Sequence, residues 1–197
     1  MNLPNKLTLS RIGLAFVFMF FLLFVKGLAA KYLALFTFSL ACLTDFLDGR
    51  IARARNLEND FGRMMDPIAD KILILSAFIA FVEMKIIYGW MVIIIIFREL
   101  IVTGLRVIAV SRGRVISASL AGKHKTVSQM VVIISILIFL IIRESFTNVW
   151  SAAWELCFRR ATLYLMWITV ILTLISGLSY LIRNKRILFR ANDEELN

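Results

Sequence analysis

Residues 32–54 read Tyr32-Leu33-Ala34-Leu35-Phe36-Thr37-Phe38-Ser39-Leu40-Ala41-Cys42-Leu43-Thr44-Asp45-Phe46-Leu47-Asp48-Gly49-Arg50-Ile51-Ala52-Arg53-Ala54. The run carries no charge until Asp45, and then two acids and two arginines follow within nine residues. About 20 mostly apolar residues cross a bilayer as a helix. This stretch is longer than that, so its charged end projects towards the headgroups. A charged side chain at mid-bilayer costs about 2.5–3.5 kcal/mol on insertion scales, and less near the interface. Charge confined to one end therefore marks which part sits in lipid. The stretch predicts a membrane helix with a chemically active end.

Outward from it, the same criterion gives six spans, approximately Leu9–Val25, Tyr32–Ala54, Pro67–Val82, Ile86–Ser111, Thr126–Ile142 and Ala161–Ile182. The composition agrees: 60% of the 197 residues are hydrophobic and the mean hydropathy is +0.85, above the roughly 45–50% apolar content of soluble domains. An all-α membrane protein of six transmembrane helices, forming a single domain over residues 1–197, is the expected fold. The net charge of +10 comes from short basic strips between apolar runs. It points to anionic headgroups and phosphorylated substrates rather than nucleic acid. With both termini cytoplasmic, the outer side receives only Lys26, Lys31, Lys85, Arg143, Arg159 and Arg160 of the 23 basic residues. That asymmetry follows the positive-inside rule and supports an even number of crossings.

Smaller features fill in this outline. Asn2-Leu3-Pro4-Asn5-Lys6-Leu7 suits a short interfacial amphipathic helix begun by Pro4. Leu14–Val25 has the length of a signal-peptide core, but further spans follow at once, so cleavage is not expected. Cys42 and Cys157 stand at no metal-ligand spacing and read as thiols without a role. Arg55–Asp60 reads as a cytoplasmic turn. Arg143–Arg160 reads as an outer loop or interfacial segment anchored by Trp150 and Trp154. His124, flanked by lysines, reads as a solvated loop residue.

The acids carry the chemistry. Asp45 and Asp48 are i,i+3, Asp66 and Asp70 are i,i+4, and each pair shares a helical face. A short turn between their helices lets both faces meet in one cavity. Four hard oxygen donors then suit Mg²⁺ or Mn²⁺, with phosphate and water completing the coordination. Two metals are reasonable for four carboxylates and a diphosphate. Gly49 and Gly62 let a ligand approach the backbone, although close helix packing uses small residues too. Other readings exist for the acids: Asp66-Pro67 as a helix cap with proline at its first position, or neutralisation of Asp45 and Asp48 by Arg50 or Arg53. An EF-hand loop is excluded because its alternating ligands are absent.

These residues resemble the CDP-alcohol phosphotransferase family, whose signature is D-x2-D-G-x2-A-R-x8-G-x3-D-x3-D. Asp45, Asp48, Gly49, Ala52, Arg53, Gly62, Asp66 and Asp70 occupy every fixed position with unbroken spacing. The chain is further similar to the bacterial phosphatidylglycerophosphate synthase branch. That likeness rests on Asn2-Leu3-Pro4-Asn5, Asp66-Pro67-Ile68-Ala69-Asp70-Lys71, Arg98-Glu99, Thr103-Gly104-Leu105-Arg106 and Gly122-Lys123-His124-Lys125-Thr126. The resemblance implies a six-helix homodimer in the bacterial inner membrane, with a cavity open to the cytoplasm. It implies two metals on Asp45, Asp48, Asp66 and Asp70, with Asp70 as catalytic base. It also implies CDP contacts to Asp45, Gly49, Ala52, Arg53, Gly62 and Asp66. CDP-diacylglycerol is then the donor and glycerol 3-phosphate the expected acceptor.

A phosphate-bearing acceptor needs cations, and Arg106, Lys123 and Lys125 gather near the cytoplasmic end of the fourth span. They are the expected clamp. Arg98 reads instead as a structural partner of Glu99. The competing readings are the same chemistry with inositol phosphate, phosphatidylglycerol, serine or choline as acceptor, and a divalent-cation transporter. The transporter leaves Gly49, Ala52, Arg53 and Gly62 unexplained.

Overall fold

The computed structural model describes the backbone of residues 3–55, 60–111 and 120–189, and the side chains of residues 9–44, 71–105, 107 and 125–183. Among the described residues there are six α-helices and no strand: α1 (Leu3–Leu23), α2 (Leu28–Arg55), α3 (Asp60–Glu83), α4 (Gly89–Ser111), α5 (Leu120–Ser145) and α6 (Ala152–Phe189). Two stretches, Lys125–Ser145 and Ala152–Arg183, are long and apolar enough to cross a membrane, and Leu9–Leu23 and Leu28–Thr44 are shorter apolar runs.

Several boundaries differ from those expected. Helix α1 is continuous from Leu3, so residues 3–7 are its opening turns and not a separate interfacial helix. Helix α3 begins at Asp60, which places Asp66 and Pro67 inside the helix and removes the capping explanation for that acid. His124 and Lys123 fall within the first turns of α5 rather than in a loop. The connection between α5 and α6 is shorter than the expected Arg143–Arg160 segment because α6 starts at Ala152. Ser151 caps it: the Ser151 hydroxyl accepts from the Trp154 amide at 3.4 Å, and Glu155 N–H donates to the Ser151 carbonyl at 3.2 Å. Glu155 lies in the first turn, where a carboxylate complements the helix dipole. It accepts from Trp150 Nε1 at 3.3 Å and from Arg159 Nε at 3.0 Å.

The helices fall into two compact units, one of residues 1–88 with 133–162 and the other of residues 89–132 with 163–197. In the first, α1 packs along both α2 and α3. Ala15, Phe18 and Leu22 recur at helical spacing on its buried face. Ala30, Ala34 and Ala41 form a matching small-residue stripe on α2, which lets the helices approach closely. Phe18 meets Phe38 with ring centroids 5.5 Å apart. Helix α3 contributes Ala77, Phe78, Ala80 and Phe81, all fully buried. Its end is a Schellman turn: Ile86 N–H donates to Phe81 O and Lys85 N–H to Val82 O, both at 2.9 Å, with Lys85 in the left-handed region at φ 57°.

The second unit joins α4, the first half of α5 and the latter part of α6. Its outer faces are apolar: Ile93, Phe97 and Leu100 on α4, and Ile171, Leu174, Ile175 and Leu178 on α6, are exposed. Its inner face on α6 is polar, with Thr169, Thr173 and Ser176 buried. A helix apolar on its outside and polar on its inside suits lipid as solvent.

Candidate active site

Helical register orders the four aspartates. Asp45 and Asp48 lie in the last turns of α2 and Asp66 and Asp70 in the first turns of α3. On α-helical backbone, members of these pairs are about 60° and 40° apart around their axes, so each pair lies on one face. Gly49, Ala52 and Arg53 follow on α2, and Gly62 precedes on α3. The side chains of all these residues lie outside the described residues, as do those of Arg106 and Lys123.

Helix α1, which packs along both aspartate-bearing helices, supplies a buried cation. Arg11 sits on the same face as Ala15, Phe18 and Leu22, is 3% exposed, and is engaged by a partner. A buried arginine among apolar residues must be paired. Its one signal in the sequence was a cation just inside an apolar run.

Of the expected acceptor cluster, Lys125 is described and lies in the second unit. Lys125 is buried, and its ammonium pairs with Oε1 of Glu99. The same oxygen accepts from Arg98 Nη1 at 3.2 Å, so the expected partnership of Arg98 with Glu99 is present. Arg98 Nη2 donates to the Ser176 hydroxyl at 2.8 Å. Glu99 and Lys125 take part in further interactions as well. Lys123 and Lys125 are two residues apart on α5, so these positions fall on different sides of the helix.

Further polar groups lie in this interior beside apolar Met91, Ile95 and Met166. Among the described residues, Gln129 Nε2 and the hydroxyls of Thr169 and Thr173 are buried without a hydrogen-bond partner. Each such group costs about 1–3 kcal/mol. Sequence reading missed Ser176, Thr169 and Thr173, because hydroxyls spaced along an apolar helix read simply as tolerated small residues.

The model of the CDP-alcohol phosphatidyltransferase family matches residues 1–175. The chain belongs to this family. Family relatives extend the match over nearly the whole chain. The Bacillus subtilis CDP-diacylglycerol–glycerol-3-phosphate 3-phosphatidyltransferase is 36% identical over 202 residues, covering 97% of this chain and 99% of the relative. The Rickettsia bellii protein of the same name is 33% identical over 179 residues, covering 91% and 93%. A Mycobacterium tuberculosis protein named as a probable phosphatidylglycerophosphate synthase is 43% identical over 134 residues, covering 67% of this chain and 64% of its own. For a CDP-alcohol phosphatidyltransferase, the unbroken aspartate signature across the end of α2 and the start of α3 is the expected seat of chemistry.

Proposed function

We propose that this chain transfers the phosphatidyl group of CDP-diacylglycerol to glycerol 3-phosphate, releasing CMP and forming phosphatidylglycerophosphate. The observation that carries the reading is the unbroken Asp45–Asp70 signature set on two consecutive helices. The names of relatives matched over almost their full length support the acceptor. The working unit is one membrane domain, a homodimer of six-span protomers in the bacterial inner membrane, with both termini and the site facing the cytoplasm. The apolar outer faces of α4 and α6 support membrane placement, and the basic asymmetry supports the orientation.

Four carboxylates at i,i+3 and i,i+4 spacing form a hard-oxygen donor set that fits Mg²⁺ or Mn²⁺. Asp45, Asp48, Asp66 and Asp70 would hold two such ions. Bound there, they supply Lewis-acid stabilisation of the diphosphate and of departing CMP. Gly49, Ala52, Arg53 and Gly62, with Asp45 and Asp66, receive the CDP moiety. Asp70 takes the proton of the acceptor hydroxyl as its oxygen bonds to the phosphorus that carries diacylglycerol. The bond from that phosphorus to the bridging oxygen breaks, and CMP leaves with the electron pair. Arg106, Lys123 and Lys125 bind the acceptor's phosphate.

The test is CMP release by purified protein from CDP-diacylglycerol, with glycerol 3-phosphate, inositol phosphate, phosphatidylglycerol, serine and choline offered singly. Release with glycerol 3-phosphate well above the others is the expected result. Equal or greater release with another acceptor would reassign the substrate, and metal flux without CMP release would favour a transporter.

A further inference from the structure

In the interior of the second unit, Arg98 is held more tightly than an ion pair requires. Arg98 and Glu99 are sequence neighbours, and side chains at i,i+1 on a helix do not face each other. Their 3.2 Å contact therefore needs the guanidinium laid sideways along α4. Two features of α6 hold it there. The Ser176 hydroxyl accepts from Nη2 at 2.8 Å. Gly177 leaves the space for the stem: a Cβ at that position would stand 3.0 Å from Arg98 Cγ, 3.5 Å from Nε and 3.8 Å from Cδ. Arg98 in turn reaches Oε1 of Glu99, the oxygen that also receives the Lys125 ammonium.

A buried ion pair is a poor stabiliser compared with well-packed apolar side chains, so stability alone does not explain three charges here. Orientation does. A lysine stem has four rotatable bonds, and fixing its ammonium beforehand removes an entropic cost from ligand binding.

We propose that Ser176 and Gly177 of α6 are positioning residues for the acceptor site: their notch fixes Arg98, Arg98 fixes the Glu99 carboxylate, and Glu99 presents the ammonium of Lys125 to the acceptor's phosphate. The proposal rests on the reading of Lys125 as an acceptor ligand given above.

The test is steady-state kinetics on the purified full-length protein in mixed micelles, with thermal unfolding of each variant alongside. Gly177→Ala is expected to raise KM for glycerol 3-phosphate about tenfold, while kcat and KM for CDP-diacylglycerol change less than about twofold. Ser176→Ala is expected to raise it about threefold, and Ser176→Thr, which keeps the hydroxyl, to restore it. If neither α6 variant moves this KM while Lys125→Met raises it, the relay is overturned and the acceptor reading stands. If Lys125→Met leaves it unchanged, the acceptor role of Lys125 falls, and the relay with it. A drop in kcat and a rise in both KM values, together with a lowered unfolding temperature, would mean a structural role and overturn the relay. Should Gly177→Ala fail to fold, the two Ser176 variants decide.

Discussion

In the first unit, Phe18 of α1 meets Phe38 of α2 beside an alanine stripe, and α3 adds Phe78 and Phe81. In the second, apolar Met91, Ile95, Val132 and Met166 share the interior with Arg98, Glu99, Lys125, Gln129, Thr169, Thr173 and Ser176. Apolar helices in lipid gain little from the hydrophobic effect, so the first interior is held by shape and dispersion. The second adds directed bonds whose removal leaves charges behind. Close packing can serve as frame, whereas a buried polar network constrains where particular donors point. Substitutions in the apolar interior of the first unit should therefore act on stability, and those in the polar network of the second on substrate recognition too.

Chelation has the largest expected effect on the enzyme. Removing divalent metal should lower CMP release at least about a thousandfold, with recovery on adding Mg²⁺ or Mn²⁺. Undiminished turnover in excess chelator would remove metal from the site. Next, Glu99→Ala strands two cations and should cost about 4 kcal/mol of unfolding free energy, together with a raised KM for acceptor. Phe38→Ala, in the first unit, should cost about 3 kcal/mol through the cavity it leaves. Substrate KM values of the folded fraction should stay near normal. A Phe38→Ala variant with selectively altered acceptor KM would erase the contrast between the units.

Much of this contrast was legible in the sequence, and part was not. Asp45, Asp48, Asp66 and Asp70 stand out because acids at the ends of apolar runs are costly and rigidly spaced. The helices themselves follow from length and apolarity. Their ends do not: α6 begins at Ala152 because Ser151 and Glu155 cap it, local chemistry that hydropathy averages away. Arg98 with Glu99 was readable as a pair, but Ser176, 78 residues from Arg98, was not. Contacts between distant helices depend on rotation about each axis, which apolar faces exposed to lipid leave unmarked. Arg11 was hidden for the same reason, since a cation near a span end looks alike whether it faces headgroups or a neighbouring helix.

The smallest effect should come from Lys85, which adopts a left-handed φ of 57° at the end of α3. Lys85→Gly relieves the Cβ penalty and should stabilise the first unit by about 0.5–1 kcal/mol in thermal unfolding, with kinetics unchanged. Loss of stability would mean that the lysine side chain contributes more than its backbone strain costs.

The most direct measurement is CMP release from CDP-diacylglycerol by purified Asp70→Asn, at saturating glycerol 3-phosphate and Mg²⁺. Loss of the base and of a metal donor together should reduce turnover by at least about a thousandfold, with the protein folded and its unfolding temperature near that of the parent. Turnover within about tenfold of the parent, more than loss of a general base would leave, would contradict the assignment of the α2–α3 aspartates as the chemical centre.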